Sequence, residues 1–200
     1  TESLVSFIDF APTTLKLAQL AVPEYMQGIP FLTGNEGALA REIVYGTRDR
    51  VDEVFECSRS VRDRRWLYIR NYHPHLSWNQ PSVFSDLGEI RNEITGFAAK
   101  NGGSLSIAQK HYAGPMKAVE ELYDCRADPQ NTRNLLSGKM TPEVKENLQR
   151  LRKSYIAKRQ EIGDCGAFPE SEMRRMVSGE GKPMRDIILG ATNHKPDLKA

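Results

Sequence analysis

Two neighbouring segments of alternating polar and apolar residues, 57–62 and 65–72, constrain the fold of this chain more than any other feature. Alternation with a period of two, rich in Val, Ile, Tyr and Trp, is typical of β-strands. Because only residues 63–64 separate the segments, the pattern predicts an antiparallel hairpin with a two-residue turn. In that register Val61 faces Trp66.

The two faces of the predicted hairpin differ in the bulk of their side chains. One face carries aromatic and basic residues together with a valine, namely Arg59, Val61, Trp66, Tyr68 and Arg70. The other face carries Leu67 and Ile69 opposite two serines. Because the small serines leave space for a bulky neighbour, we expect a helix to pack on this aliphatic face.

A long amphipathic helix is predicted between Thr141 and Gly163. Thr141 is a favourable N-cap, and Pro142 suits the first helical position, where a missing N–H costs nothing. Apolar residues then recur at helical spacing, at Val144, Leu148, Leu151, Tyr155 and Ile162. Further strands are predicted at residues 43–45 and 119–125. The fold class is therefore α+β, a small antiparallel β-sheet of about four strands packed with this long C-terminal helix.

Three shorter helices are predicted elsewhere, at residues 10–21, 85–100 and 104–112. In the first of them the apolar residues form a wide stripe, which indicates a mostly buried helix, and Asp9 stands where a cap is needed. The dipeptide Gly102-Gly103 separates the other two, because paired glycines end helices.

Charge and hydropathy argue against two classes of protein. The chain carries 28 Lys and Arg against 26 Asp and Glu, a net charge of +2, so it is not a polycation that binds partners through total charge. No run of about 18 apolar residues is present, so we expect no association with a membrane through a spanning helix. The cysteines Cys57, Cys125 and Cys165 are odd in number and widely spaced, which favours neither a redox pair nor a zinc site.

A charged connection follows the first predicted strand and carries Arg48, Asp49 and Arg50. A guanidinium group offers a planar fork of donors that fits sulfate, phosphate or carboxylate oxygens. The Asp49 carboxylate could orient either arginine or accept a hydrogen bond from a sugar hydroxyl. These residue types indicate a contact with an anion or a glycan. The alternative is a solvated loop with internal ion pairs, and the sequence leaves both interpretations open.

Two histidines, His73 and His75, stand two positions apart, a spacing that places both on one side of an extended chain. Two ligands do not make a metal site, and the simplest interpretation is a turn with two surface histidines. A role in binding a substrate anion at the edge of a cleft stays open. The residues alone indicate no metal site and no assembled set of catalytic groups.

Basic and aromatic residues interleave along residues 59–72, which is the composition of a nucleic-acid stacking platform. Strand alternation explains the same pattern as a sheet with an aromatic face and exposed arginines. The small net charge also argues against a nucleic acid as the partner.

Four segments carry a combined resemblance to one family. They are residues 7–28, which begin FIDFAPTTL, residues 44–53, which read VYGTRDRVDE, residues 60–72, which read SVRDRRWLYIRNY, and residues 120–135 with EELYD and DP. In this order they resemble the C-terminal part of a type I sulfatase, a member of the formylglycine-dependent family. The subset with the most similar pattern is that of the bacterial glycan sulfatases and the heparan N-sulfatase group.

The resemblance implies a domain organisation and an activity. Residues 1–38 would complete the large α/β domain of a sulfatase, and residues 39–200 would form its C-terminal subdomain, which shapes the substrate pocket. The whole protein would hydrolyse sulfate esters or N-sulfate groups on a sulfated glycan. The residues expected to contact that substrate are Arg48, Asp49 and Arg50, with His73 and His75 as weaker candidates.

Calcium and formylglycine are the cofactors that the resemblance implies for the whole protein. The family makes formylglycine from Cys or Ser in a Cys/Ser-x-Pro-x-Arg motif, which this chain lacks, because Cys57 is followed by Ser-Arg-Ser-Val. We therefore expect no cofactor in this segment, a catalytic centre in sequence upstream of it, and no turnover by the chain alone.

The partners implied by the resemblance are a sulfated glycan and the N-terminal sulfatase domain, in a periplasmic or secreted protein. Without that domain, an apolar face around residues 11–21 would be exposed and would favour self-association. Two alternatives remain open. One is a non-catalytic module that binds an anionic glycan or a nucleic acid, and the other is a phosphate-ester hydrolase of the same superfamily.

Overall fold

The computed structural model describes the greater part of the chain, namely residues 3–32, 41–101, 104–164, 166, 168, 169 and 171. The chain divides into two compact units, Thr1–Arg159 and Gln160–Ala200, and the features below belong to the first, apart from the last residues of the final helix. The expected domain boundary at residue 38 and the Gly102-Gly103 break lie outside the described residues. No helix of the described part is both long and apolar enough to cross a membrane.

The centre of the first unit is a four-stranded sheet whose spatial order follows the sequence. The strands are β1 at Val44–Arg48, β2 at Ser58–Arg62, β3 at Trp66–Asn71 and β4 at Glu120–Asp124. Each strand pairs antiparallel with the next one. The prediction of an antiparallel sheet of about four strands is therefore confirmed.

The β2–β3 hairpin has a different turn from the predicted one. Val61 faces Tyr68, not Trp66, so the predicted register was wrong by two residues. The side chain of Asp63 explains the difference, because its Oδ1 accepts hydrogen bonds from the backbone N–H groups of Arg65 at 2.7 Å and Trp66 at 2.6 Å. Because side chains alternate with a period of two, this shift leaves every side chain on its predicted face.

The helices lie before, between and after the strands. In the described residues they are α1 at Phe10–Leu17, α2 at Val83–Asp86, α3 at Glu89–Asn101, α4 at Ile107–Ala113 and α5 at Pro142–Ile162. The helix predicted over residues 85–100 is thus two helices, and α1 ends before residue 21, because Gln19 adopts a left-handed φ of 59°. The helix predicted from Thr141 is confirmed as α5.

The apolar core forms where α5 packs on one face of the sheet. It contains residues of β2, β3, β4 and α5, namely Val61, Trp66, Tyr68, Leu122, Val144, Leu148, Leu151 and Tyr155. The predicted stripe of α5 is confirmed as far as Tyr155, whereas Ile162 is exposed. The predicted packing face was wrong, because α5 covers the aromatic face and not the serine face. Large aromatic rings bury more apolar area against a helix than Leu67 and Ile69 would.

The helix α1 and the residues on either side of it present apolar side chains to solvent. Phe7 is 89% exposed, Phe10 52%, Leu17 61% and Leu20 57%, and we call these four residues the α1 face. The prediction of a mostly buried helix was wrong, since the buried residues of α1 are Pro12 and Thr13. The apolar face expected around this helix is present at the surface.

Asp9 is buried and does not cap α1 with its side chain. Its carboxylate accepts hydrogen bonds from the backbone N–H groups of Ser6 and Ile29, both at 2.8 Å, and it pairs with Arg41. Burial raises the pKa of Asp9, but the Arg41 pair and the two backbone donors outweigh burial and hold that pKa below its ordinary value. One carboxylate thus ties three stretches of chain together.

The acid stability of the protein should depend on Asp9. Because its folded-state pKa is depressed, its stabilisation is complete above the ordinary pKa of 3.8 and is lost as the pH falls through the folded-state value. Asp9→Asn should lower the free energy of unfolding by about 2 kcal/mol at neutral pH. The variant should also lose less stability than the parent between about pH 5 and pH 2.

Urea unfolding at a series of pH values measures this difference. Glu24→Gln, at an exposed carboxylate, is the matched control and should follow the parent at every pH. If the free energy of unfolding fell equally steeply with decreasing pH in the parent and in Asp9→Asn, the prediction would be contradicted.

Candidate functional site

The face of the sheet opposite α5 carries polar side chains that are nevertheless buried. On this face or beside it lie Glu56, Ser58, Asn71, Lys117 and Glu121, each less than a tenth exposed. Buried polar groups are costly unless they are paired. These five side chains therefore have to find hydrogen-bond or ion-pair partners within the protein.

A continuous network joins these side chains. The Lys117 ammonium pairs with the Glu56 carboxylate, and both side chains are 0% exposed. Ser58 Oγ lies 3.2 Å from Glu56 Oε1 and 2.9 Å from Asn71 Oδ1. Asn71 Nδ2 in turn donates to Glu121 Oε1 at 2.7 Å. The network therefore links the start of β2 to the middle of β4 through the last residue of β3.

Tyr123 completes the network at its far end, where its hydroxyl donates to Glu121 Oε2. Burial, with the hydrogen bond to Glu121 as a second cause, raises the pKa of Tyr123 well above its usual range. The phenol therefore stays protonated at all ordinary pH values and remains a donor. Both oxygens of the Glu121 carboxylate are thus held in place.

A pocket of about 360 Å³ opens on this side of the sheet, and we call it the Arg48 pocket. Its charged or titratable lining includes Arg48 from the end of β1, Arg91 from α3 and His111 from α4. The remaining wall includes Trp78, Tyr112 and residues 130–132. A strand end, three helices and three loops thus converge on one open cavity.

The two arginines of the Arg48 pocket differ in their partners. Arg91 Nε lies 2.9 Å from Asp86 Oδ1 and donates to the carbonyl of Gln80 at 3.2 Å. The Arg48 guanidinium carbon lies 5.6 Å from the centre of the Trp78 ring, and Arg48 has no carboxylate partner in the described part of the chain. Arg48 is therefore a cation in contact with an aromatic face and available to an anion.

Trp78 connects the pocket with the buried network. Lys117 Nζ lies 4.6 Å from the centre of its ring, so one indole is in contact with cations from both the pocket and the network. Its Nε1 is buried without a hydrogen-bond partner among the described residues. A buried donor without a partner is costly, so the indole N–H is an unsatisfied group beside the pocket.

The structure separates the three residues of the charged connection. Arg48 lines the pocket, whereas Asp49 pairs with Arg59 at 2.9 Å, as the ion-pair interpretation describes. Arg50 Nε donates to the carbonyl of Asp52 at 2.7 Å and is exposed. Their contact with a ligand stays a prediction for all three.

His73 and His75 lie on the turn that follows β3, with ring centres 5.9 Å apart. His73 also stacks on Phe55, with 4.5 Å between ring centres. Burial, aided by the charges of His75 and Lys117, lowers the pKa of His73 in spite of the opposing charge of Glu56. Neither histidine is part of the Arg48 pocket lining.

Most residues of the pocket carry no signal in the sequence. Trp78, Arg91 and His111 fall in residues 76–118, after the two histidines, where no spacing or motif indicates a site. The available signal was weak, a single tryptophan in a stretch rich in Pro, Asn and Ser. The pocket depends on chain segments that are distant in sequence, so local patterns do not reveal it.

The resemblance implies calcium for the whole protein and not for the residues described here. Among them, no group of three or more His, Cys, Asp or Glu side chains is placed to hold a metal ion. Cys57 is buried, and its backbone N–H donates to Glu56 at 3.0 Å. We therefore derive no step through a metal or through Cys57.

Two ulvan-active sulfatases of Formosa agariphila are similar to the chain in sequence. One is 36% identical over 170 residues, which cover 85% of this chain and 28% of the relative. The other is 30% identical over 155 residues, which cover 74% of this chain and 28% of the relative. The chain belongs to the sulfatase family. It spans 28% of the length of each of these sulfatases, and no family model matches it.

Solved structures give a weaker likeness. A 2-O GAG sulfatase superimposes with a TM-score of 0.48 and 21% identity, over 78% of this chain and 25% of that one. A protein in complex with its substrate D-glucosamine-2-N,6-O-disulfate superimposes with a TM-score of 0.48 and 18% identity, over 84% of this chain and 27% of that one. The assignment to the sulfatases rests on the sequence similarity.

The buried Lys117–Glu56 pair should be essential to the stability of the site. Lys117→Met should lower the free energy of unfolding by about 3–5 kcal/mol, because it leaves the Glu56 carboxylate buried without its counter-ion. Adding Glu56→Gln should restore a large part of that loss, since both charges are then gone.

Denaturant unfolding of the single and double variants measures this coupling. Lys110→Met, at an exposed lysine of α4, is the matched control and should change stability by less than about 0.5 kcal/mol. A Lys117→Met variant as stable as this control would show that the pair contributes nothing.

Proposed function

We propose that the chain is the C-terminal part of a sulfatase that hydrolyses sulfate esters or N-sulfate groups on a glycan, and that the Arg48 pocket borders its substrate site. Its membership of the sulfatases supports the reaction class. The relatives are named for their activity on ulvan, which supports a polysaccharide substrate. The observation that carries the proposal is Arg48 itself, a cation without a carboxylate partner in a pocket wall.

The chemistry of the pocket fits a sulfated sugar. The Arg48 guanidinium can donate two parallel hydrogen bonds to sulfate oxygens. The neighbouring indole of Trp78 offers a flat apolar surface to the sugar. Held beside an aromatic ring, a charged fork binds an anion with less competition from water than an isolated surface arginine does.

The other predicted contacts lie at the same end of the sheet. In the register of the sheet Arg48 stands opposite Ser58, and Ser58 stands opposite Asn71. The ends of β1 and β3 therefore flank the start of β2 at one edge. The residues that follow these ends are Asp49, Arg50, His73 and His75. We assign them to outer contacts with a glycan that extends beyond the pocket, with Asp49 acting through Arg59.

The catalytic groups belong, in this proposal, to sequence outside the chain. Formylglycine and calcium would supply the nucleophile and the charge stabilisation for attack on sulfur. The residues of this chain bind and orient the glycan. The chain alone should therefore show no turnover of a sulfate ester.

The α1 face is the proposed contact with the large sulfatase domain, of which residues 1–38 would be the last part. Phe7 and Phe10 pack on each other, with 5.4 Å between ring centres, and remain exposed on their outer side. Apolar side chains clustered in this way usually mark an interface.

Removing apolar area from the α1 face should change the behaviour of the chain. The double variant Phe7→Ser/Leu17→Ser should bind less of a hydrophobic dye and self-associate less, because both side chains are largely exposed. Dye fluorescence and sedimentation velocity give the two readouts. A parent chain that is strictly monomeric and binds no dye would contradict the proposal.

Arg48→Ala should weaken glycan binding by about 10-fold, the loss expected for a charge-assisted hydrogen bond. Calorimetric titration of the chain with ulvan oligosaccharides measures the affinity. Arg64→Ala is the matched control, because Arg64 is an exposed arginine at the opposite end of the hairpin and should leave the affinity unchanged.

Two results would contradict the assignment of Arg48 to the glycan site. One is an equal effect of both substitutions, which would mean that the arginines act only through total charge. The other is tighter binding of DNA than of the glycan at matched salt, which would favour a nucleic-acid module.

A further inference from the structure

His111 occupies a defined place between the Arg48 pocket and the buried network. It lies near the end of α4, whose start is fixed by reciprocal hydrogen bonds between Ser106 and Gln109, at 3.2 and 2.9 Å. Its side chain lines the pocket and is 34% exposed. The ring can therefore contact both a ligand in the pocket and the sheet behind it.

Glu121 stands directly behind this ring. Its Oε2 lies 3.8 Å from His111 Nε2, and its side chain is only 2% exposed. The distance is longer than a hydrogen bond, as is common for functional pairs before a ligand closes the site. In the described residues no Lys or Arg nitrogen is within ion-pair distance of Glu121. Lys117, the lysine of the network, pairs with Glu56.

The carboxylate is not free to turn away from the histidine. Asn71 Nδ2 donates to Oε1 at 2.7 Å and the Tyr123 hydroxyl donates to Oε2, so the position of Glu121 is set by β3 and β4. A fixed acceptor beside Nε2 favours the imidazole tautomer with its proton on Nε2. In that tautomer Nδ1 is a hydrogen-bond acceptor, and it has no partner among the described residues.

We propose that Glu121 is a positioning residue that holds His111 by its Nε2–H, so that Nδ1 accepts a hydrogen bond from a glycan hydroxyl in the Arg48 pocket. The inference rests on the proposed function and names a second subsite of the same pocket. Arg48 and Arg91 also face the pocket, and guanidinium groups only donate. A sugar hydroxyl that donates needs an acceptor, and the imidazole supplies one beside the sulfate contact.

The tautomer can be tested directly by NMR. In protein labelled with ¹⁵N-histidine at about pH 8, where imidazoles are ordinarily neutral, a long-range ¹H–¹⁵N spectrum distinguishes Nε2–H from Nδ1–H. The signals of His111 are those that disappear in His111→Phe. We expect the Nε2–H form in the parent and a mixture of tautomers in Glu121→Gln.

The matched control for this experiment is Glu146→Gln, at an exposed carboxylate of α5, which should leave the spectrum of His111 unchanged. An Nδ1–H tautomer in the parent, or a His111 spectrum unaffected by Glu121→Gln, would overturn the positioning role. This readout does not depend on any ligand.

The hydroxyl contact is tested by titration with ulvan oligosaccharides and with the same oligosaccharides after chemical desulfation. His111→Phe keeps a ring of similar size but removes both nitrogens, so it should weaken binding of both ligands by the same factor, about 3–10-fold. Arg48→Ala should weaken only the sulfated ligand.

The pattern of losses separates the two proposals. If Arg48→Ala weakens binding and His111→Phe does not, the hydroxyl subsite is wrong and the proposed function stands. If neither substitution has an effect, the pocket is not the glycan site. A loss confined to the sulfated ligand in His111→Phe would mean that the imidazole contacts sulfate, which also overturns the hydroxyl contact.

Discussion

The ion pair between Lys117 and Glu56 is the interaction on which the polar half of this structure depends. Two fully buried charges can persist only if their partners are fixed, and here each charge is fixed by the other. The pair anchors the segments just before β2 and β4. The backbone N–H of Lys117 also donates to Pro74 at 2.8 Å, so the turn that carries His73 and His75 is held by the same residue.

The two faces of the sheet have different roles. One face carries the apolar side chains that pack against α5, and their burial provides the hydrophobic free energy of folding. On the other face the strands carry a hydrogen-bonded network, with the Arg48 pocket beside it. Alternation along a strand makes this division possible, because Tyr68 and Ile69 are neighbours in sequence and lie on opposite sides of the sheet.

The elements of the fold were largely readable from the sequence, because they follow from local periodicity. The alternation of residues 57–72 and the stripe from Val144 to Tyr155 predicted the hairpin and α5. The choice of the face that α5 covers was not readable. It depends on which surface buries more area in three dimensions, and the serines opposite Leu67 indicated the wrong one. The hairpin register depended on the two backbone hydrogen bonds that the Asp63 side chain accepts.

The candidate site was readable only in part. Arg48 was identified because an arginine after a strand end is a plausible anion contact by residue type alone. Glu121 and His111 lie ten positions apart on different elements, and neither one stands in a motif. The residues that line the pocket and those that pack against α5 therefore lie on opposite sides of the sheet and can vary separately. Substitutions among the pocket residues of α3, α4 and the loops leave the α5 side untouched, and effects at well-separated positions add with little coupling. A lineage of such chains could reshape the pocket by changing α3, α4 and the loops while it keeps the packing of α5.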